Sequence, residues 1–227
     1  MSWRVQIGWT PAQRQATGVL WLRGDSIIFD ASNNIIAWFD KFGKQVNFLP
    51  QGTPPLFSYS QTLGGQPVMT KIASGYVNSS ASYTVNQPNT IYVVASSNNP
   101  SNNFYLFDST TAEQALIYTS GNVWAMTAGS TLSSSAATKG AHVFCCVFNG
   151  PNSALYVDSS SVPVTGNAGT NNVTATNLYI GTSSGGATTH FIGDYAEIIV
   201  VKGADNQAQV QQMFGYFHSQ YSLLGVG

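Results

Sequence analysis

The side chains able to do chemistry are few: among 227 residues there are 9 acids, 8 Lys or Arg, 3 His and 2 Cys. Retaining glycoside hydrolysis needs two carboxyl groups about 5 Å apart, one to protonate the leaving oxygen and one to attack. The glutamates are Glu113 and Glu197, in unrelated segments, and neither has an acid two or four positions on. Asp194 and Glu197 lie three apart on an expected strand, so their side chains leave opposite faces. Glu197 reads as a structural acceptor, and the pattern predicts a chain that is not an enzyme. His142, His190 and His218 are scattered without Cys or Asp at ligand spacing, which predicts no zinc site and no cofactor. Asp108, Asp158 and Asp194 leave room for calcium, although no dense Asp/Asn loop surrounds them. Cys145 and Cys146 are neighbours in AHVFCCVF. On a strand they point apart, so they are expected to be reduced, buried and inert. Arg23-Gly24-Asp25 matches an integrin-binding tripeptide but borders a strand, and is read as structural.

Binding chemistry is better supplied, with Trp 5, Tyr 11 and Phe 12. Sugar sites join an aromatic platform to Asn, Asp and Ser groups on loops, for which Tyr59, Trp124 and the polar turn at residues 98–103 are the candidates. Trp3 and Trp9 lie in a polar arm, residues 1–18, where they either tuck against the domain or dock on a partner.

Only 7% of residues are charged and the net charge is -1, against roughly a quarter charged in ordinary domains. Without a basic face there is no footprint for nucleic acid. A surface of Ser, Thr, Asn, Gln and Gly repels its neighbours poorly and suits an extracellular or assembled particle. The N-terminus shows no signal-peptide pattern, and no run is long enough to insert in a bilayer. Release from a cell would then go by a route such as lysis.

These side chains must be held by many short strands. VLWL, SIIF, IIAWFD, residues 67–72, 82–85, TIYVVA, 104–107, 115–118, 123–127, HVFCCVF, 154–158 and 177–181 recur at the roughly 8–12-residue spacing of sandwiches and barrels. TIYVVA is apolar on both faces and so central. Residues 50–65, 98–103, 129–140 and 167–172 read as loops, and Asn149-Gly150 as a tight hairpin turn. One long strand from His190 to Val201 ends at Lys202-Gly203. A helix follows, N-capped by Asp205, with Val210, Met213, Phe214, Phe217 and Tyr221 on one stripe. The expected architecture is an all-β, antiparallel two-sheet jelly-roll sandwich with one C-terminal α-helix, a single domain over residues 19–227.

The final segment GDYAEIIVVKGADNQAQVQQMFGYFHSQYSLLG resembles the close of concanavalin A-like, laminin-G-like jelly rolls of bacterial and bacteriophage proteins. VLWL, WFDKFG, LGGQPV and HVFCCVFNGPNSALYVD resemble that family's earlier elements in order, so the resemblance covers about residues 19–225. Arg23-Gly24-Asp25-Ser26 departs from the Asp-Ala-Ser-Asp-like segment usual there. The resemblance implies the fold and leaves activity open, because this architecture hosts lectins, hydrolases and structural modules. Joined to the sparse charge and the short arm, it implies a non-enzymatic virion structural protein of a tailed bacteriophage, a capsid decoration or tail or fibre module. Its expected partners are other virion proteins, in repeated copies or as a homo-oligomer. The alternative is a lectin-like module for cell-surface glycans.

Overall fold

The structure, a computed structural model, describes residues 9–44, 46–51, 57–58, 62–71, 75–82, 84–97, 104–110, 114–119, 121–136, 138–173, 178–184 and 190–221. Two antiparallel sheets face one another, as the strand spacing implies. The first runs in the order β17 (Val164–Gly166), β16 (Ser153–Val157), β15 (Gly140–Phe148), β10 (Asn89–Ser97), β19 (Gly193–Lys202), β8 (Met69–Lys71) and β5 (Phe57–Ser58), with β1 (Gly18–Arg23) also paired to β19. The second runs β14 (Thr131–Ala136), β13 (Val123–Thr127), β12 (Ala115–Tyr118), β11 (Phe104–Ser109), β18 (Leu178–Ile180), β9 (Tyr76–Ser79), β4 (Phe48–Gln51), β3 (Ile35–Trp38) and β2 (Ile27–Phe29). A small hairpin joins β6 (Thr62–Leu63) to β7 (Gln66–Pro67), and α1 (Gln207–Tyr221) closes the described chain.

The period of two along each strand sorts its side chains between two cores. From β10, Ile91, Val93 and Ala95 fill the space between the sheets, while Tyr92 and Val94 face the helix layer. β15 repeats the division, with Phe144, Cys146 and Phe148 between the sheets and Val143, Cys145 and Val147 under α1. This burial on both faces is why TIYVVA and HVFCCVF are continuously apolar. It also places the two free cysteines on opposite sides, both buried, where burial pushes their thiols up.

Val210, Met213, Phe214, Phe217 and Tyr221 are all buried along the stripe that the sequence indicates. The helix cap is a correction. Asn206, not Asp205, holds the N-terminus: its Oδ1 accepts the Gln209 N–H at 3.1 Å, and Gln209 Oε1 accepts the Asn206 N–H at 2.9 Å, a reciprocal capping box. Asp205 turns inward instead. It accepts both Arg14 guanidinium N–H groups, at 2.9 and 2.6 Å, and the Tyr92 hydroxyl at 2.6 Å.

Other segments also differ from expectation, the first because an edge strand needs little apolar character. The Ser-rich stretch 129–140, expected as a loop, contains β14 at the edge of the second sheet, where it buries Leu132. The proline-rich stretch 50–65 is not simply a loop, since β4 reaches into it and β5 and β6 lie inside it. β4 meets β3 only at Trp38↔Phe48, so Pro50 stands where β9 is the partner that pairs it, a position that tolerates a missing N–H. Among the described residues of 82–85, the pairing is the single bridge Val85↔Val173. The reversal between β15 and β16 is a 3-10 turn over Gly150–Asn152, with Gly150 at φ 54 and Asn149 at φ -149.

Phe217 is 1% exposed within the helix layer. Phe217→Ala is expected to cost about 3–5 kcal/mol and to lower the thermal midpoint by roughly 10 °C; an unchanged midpoint in a melting experiment would contradict the docking of α1.

Candidate functional site

The residues singled out in the sequence do not converge. Glu197, on β19, is 0% exposed beneath α1. Its carboxyl oxygens accept from Trp21 Nε1, from the Tyr216 hydroxyl at 3.0 Å and from the Tyr221 hydroxyl at 2.5 Å. Burial pushes its pKa up to about 7, against the lowering effect of those donors and of the Arg23 charge. Its partners make it a structural acceptor that ties β1, β19 and α1 together. Arg23-Gly24-Asp25 is equally committed. Arg23 donates to Gln66 and Gln220, Asp25 accepts from Lys41, and a Cβ on Gly24 would stand 1.8 Å from the Pro67 carbonyl oxygen.

Trp124 corrects an expectation. It is 2% exposed and packs edge-on against Phe104, Tyr118 and Phe144, so it is part of the inter-sheet core and offers no face to a sugar. Trp9 is half-buried, its ring 6.3 Å from that of Tyr216. Trp3, Tyr59 and the turn at residues 98–103 lie outside the described residues. Each of the three aspartates named for calcium serves a protein donor: Asp158 faces His142 Nδ1 at 2.6 Å, Asp194 accepts from Thr70, and Asp108 accepts the Ser184 N–H at 2.7 Å. Among the described residues no three His, Cys, Asp or Glu side chains gather to hold a metal.

A helix covers the outer face of the first sheet, whereas the second sheet's outer face carries a different set of groups. Val77, Leu178, Ile180, Phe104 and Leu106 enter the inter-sheet core, so Tyr76, Asn78, Tyr179 and Tyr105 point outward. Register lines up Leu49, Asn78, Tyr179 and Asp108 in one row across β4, β9, β18 and β11. The Tyr76 and Tyr179 rings lie 5.8 Å apart at 49°. Burial raises the Tyr76 and Tyr105 pKa values, helped by Tyr179 and Asp108 respectively, so both phenols stay protonated as donors. Further along the same face Ile36 and Ile28 are 51% and 50% exposed. Paired tyrosine rings beside an amide suit a ligand with a C–H face and a hydroxyl rim. The signal in the sequence was the alternation in YVNS and in LYI, where period two sends each tyrosine away from its apolar neighbours.

No family model matches the chain, and no curated protein is similar to it in sequence. Solved structures do share the fold. Domain 4 of an extracellular arabinanase from Geobacillus stearothermophilus, in complex with arabinotriose, is similar at TM-score 0.64 and 10% identity, over 87% of this chain and 98% of that one. Trypanosoma rangeli sialidase in complex with sialic acid is similar at TM-score 0.60 and 15% identity, over 88% of this chain. The chain spans about a third of that sialidase, 33% of its length. Botulinum neurotoxin type C, whose cell entry depends on interaction with two ganglioside molecules, is similar at TM-score 0.56 and 11% identity, over 91% of this chain and 53% of that one. The sialidase likeness corrects the expectation that the chain is not an enzyme. The fold occurs within a sialidase, so the count of glutamates alone does not decide whether the chain is an enzyme.

The Glu197 pKa, raised from 4.5 to about 7, makes stability pH-dependent. The folded state favours the protonated carboxyl, so this contribution is complete below about pH 4.5 and is lost as pH rises through about 7, a change of about 3 kcal/mol. His142 adds a slope of the same sign: burial opposes its charge, but Asp158 outweighs that and leaves its pKa raised. The melting midpoint is therefore expected to fall between pH 5 and pH 8, and Glu197→Gln to flatten that fall. An equal slope in the variant would contradict the assignment.

Proposed function

We propose that the chain is a carbohydrate-binding β-sandwich module whose ligand lies across the outer face of the second sheet, on Tyr76 and Tyr179. The observation that carries this reading is the pair of tyrosine rings 5.8 Å apart, aligned with Asn78 on the sheet face that α1 leaves open. The likeness to an arabinanase domain in complex with arabinotriose supports it, because the two match over nearly the full length of that domain. The ring faces pack on the C–H side of a sugar, while the phenols and the Asn78 amide exchange hydrogen bonds with its hydroxyls.

A second reading places this module on a bacteriophage particle, as a capsid decoration or a tail or fibre component that holds cell-surface glycans. It is favoured by a charged fraction of only 7% and by the phage-like motifs between residues 19 and 225. Mass spectrometry of purified virions tests it, and particles without the protein would count against it.

Titration with arabino-oligosaccharides, after a glycan array has been searched for other ligands, tests the main reading. Tyr179→Ala is expected to weaken binding by about tenfold, and the double change with Tyr76→Ala by more, since each stacked ring is worth about 1 kcal/mol beyond its buried area. Val162→Ala, at a 75% exposed position on the β16–β17 connection, is expected to leave binding unchanged. Equal affinity in the tyrosine variants would move the site off this face.

A further inference from the structure

A groove of about 540 Å³ opens where β1 and the end of β19 meet the segments that flank β4 and β9. Val19 and Val46 line it together with Ser82, Thr84, Lys44 and Lys202, and no carboxylate is among its lining residues. Its size is that of a small-ligand cleft.

Two of the chain's few cations line this groove. The chain has 8 cations, and among the described residues Arg14, Arg23 and Lys41 are each held by an aspartate. Lys44, Lys139 and Lys202 are exposed, and none of them is in an ion pair with a described acid; of the three, Lys44 and Lys202 border the groove. Their backbones are fixed. The Lys202 N–H donates to the Thr17 carbonyl at 2.8 Å, and the Lys44 N–H donates to Asp40 Oδ2 at 2.8 Å. Both lysines line the same concavity, so an anion seated in it would meet two ammonium groups that no described carboxylate neutralises. Two cations are too few for a nucleic-acid backbone, which needs a run of phosphate contacts. They match a single carboxylate, and the hydroxyls of Ser82 and Thr84 match a polyol.

We propose that this groove binds the carboxylate of an acidic saccharide, a sialic acid or a uronic acid residue, with Lys44 and Lys202 on the carboxylate and Ser82 and Thr84 on the sugar hydroxyls. The inference rests on the glycan reading for the sugar and on the two lysines for the acid. Sialyllactose, a galacturonic acid disaccharide and neutral lactose are titrated into the full chain at low salt and again at about 0.5 M salt, where exposed charges are screened. One acidic probe is expected to bind at least about tenfold more tightly than lactose, and to lose that advantage in high salt. The acidic probe that binds identifies which kind of acid the groove takes. Lys44→Gln with Lys202→Gln keeps most of each stem and is expected to abolish the preference without moving the melting midpoint, while Lys44→Arg with Lys202→Arg retains it. Acidic and neutral probes bound alike, or an acidic preference that survives the glutamine pair, would overturn the inference and leave the glycan reading standing. If no saccharide binds, neutral ones on the array included, both readings fall.

Discussion

Strands β10, β15 and β19 carry apolar side chains on both faces, and neither face can be left in water. That constraint sets the rest of the architecture. One face takes the second sheet and the other takes α1, so the C-terminal helix is a required layer rather than an appendage. A 15-residue helix is marginal alone; here it forms because Val210, Met213, Phe214 and Phe217 complete a core already half built by Tyr92, Val94, Cys145 and Ile199. Once both faces of the first sheet are used, the outer face of the second sheet is the strand face that the helix does not cover.

The helix layer is also where polar groups are buried, and their pairing shows how it is held in register. Glu197 would be costly under a helix without donors. Trp21, Tyr216 and Tyr221 supply them from β1 and from two turns of α1. Asp205 does the same at the other end of the layer, joining the 3-10 segment Pro11–Arg14 through Arg14 and the central strand through Tyr92. The layer therefore has a polar fastening near each end and an apolar stripe between them. Burial wins over hydrogen bonding at Glu197, so this fastening loosens as the carboxyl ionises.

Much of this was legible in the residues because local pattern and tertiary role agree. The two-faced apolar runs, the C-terminal helix stripe and the divergence of the cysteines follow from periods of 2 and 3.6 alone. The misses have a common physical origin. β14 and β4 sit where solvent or a missing neighbour relieves the need for apolar residues, so Ser and Pro disguise them as loop. Trp124 suits a sugar platform by size and aromaticity, yet Val123-Trp124-Ala125 gives no sign of which side is wet. Its burial is decided by the facing strand through Phe144. Tyr76 and Tyr179 were passed over although their apolar neighbours send them outward, because the pairing of β9 with β18 brings together residues a hundred positions apart. Asp205 looked like a cap by type and place. A distant arginine and tyrosine outbid the helix for its carboxylate and left the cap to Asn206.

A surface with so little charge changes what the few remaining charges mean. On an ordinary domain, two exposed lysines near a groove would be lost among dozens of ions and screened by neighbours of both signs. Here Arg14, Arg23 and Lys41 are held by aspartates, so most of the described surface presents hydroxyls, amides and scattered apolar side chains. Such a surface would meet a saccharide through many weak, nearly equivalent hydrogen bonds exchanged against water, each contributing little net free energy. Discrimination must then come from features that water does not imitate: stacked rings for the C–H face of a sugar, and a localised cation pair for an acid. The two proposed sites rest on features of this kind, the tilted Tyr76 and Tyr179 rings on the strand face away from the helix and Lys44 and Lys202 beside the groove where the sheets meet. A low background of charge is what would make the proposed groove selective, since no carboxylate is among its lining residues.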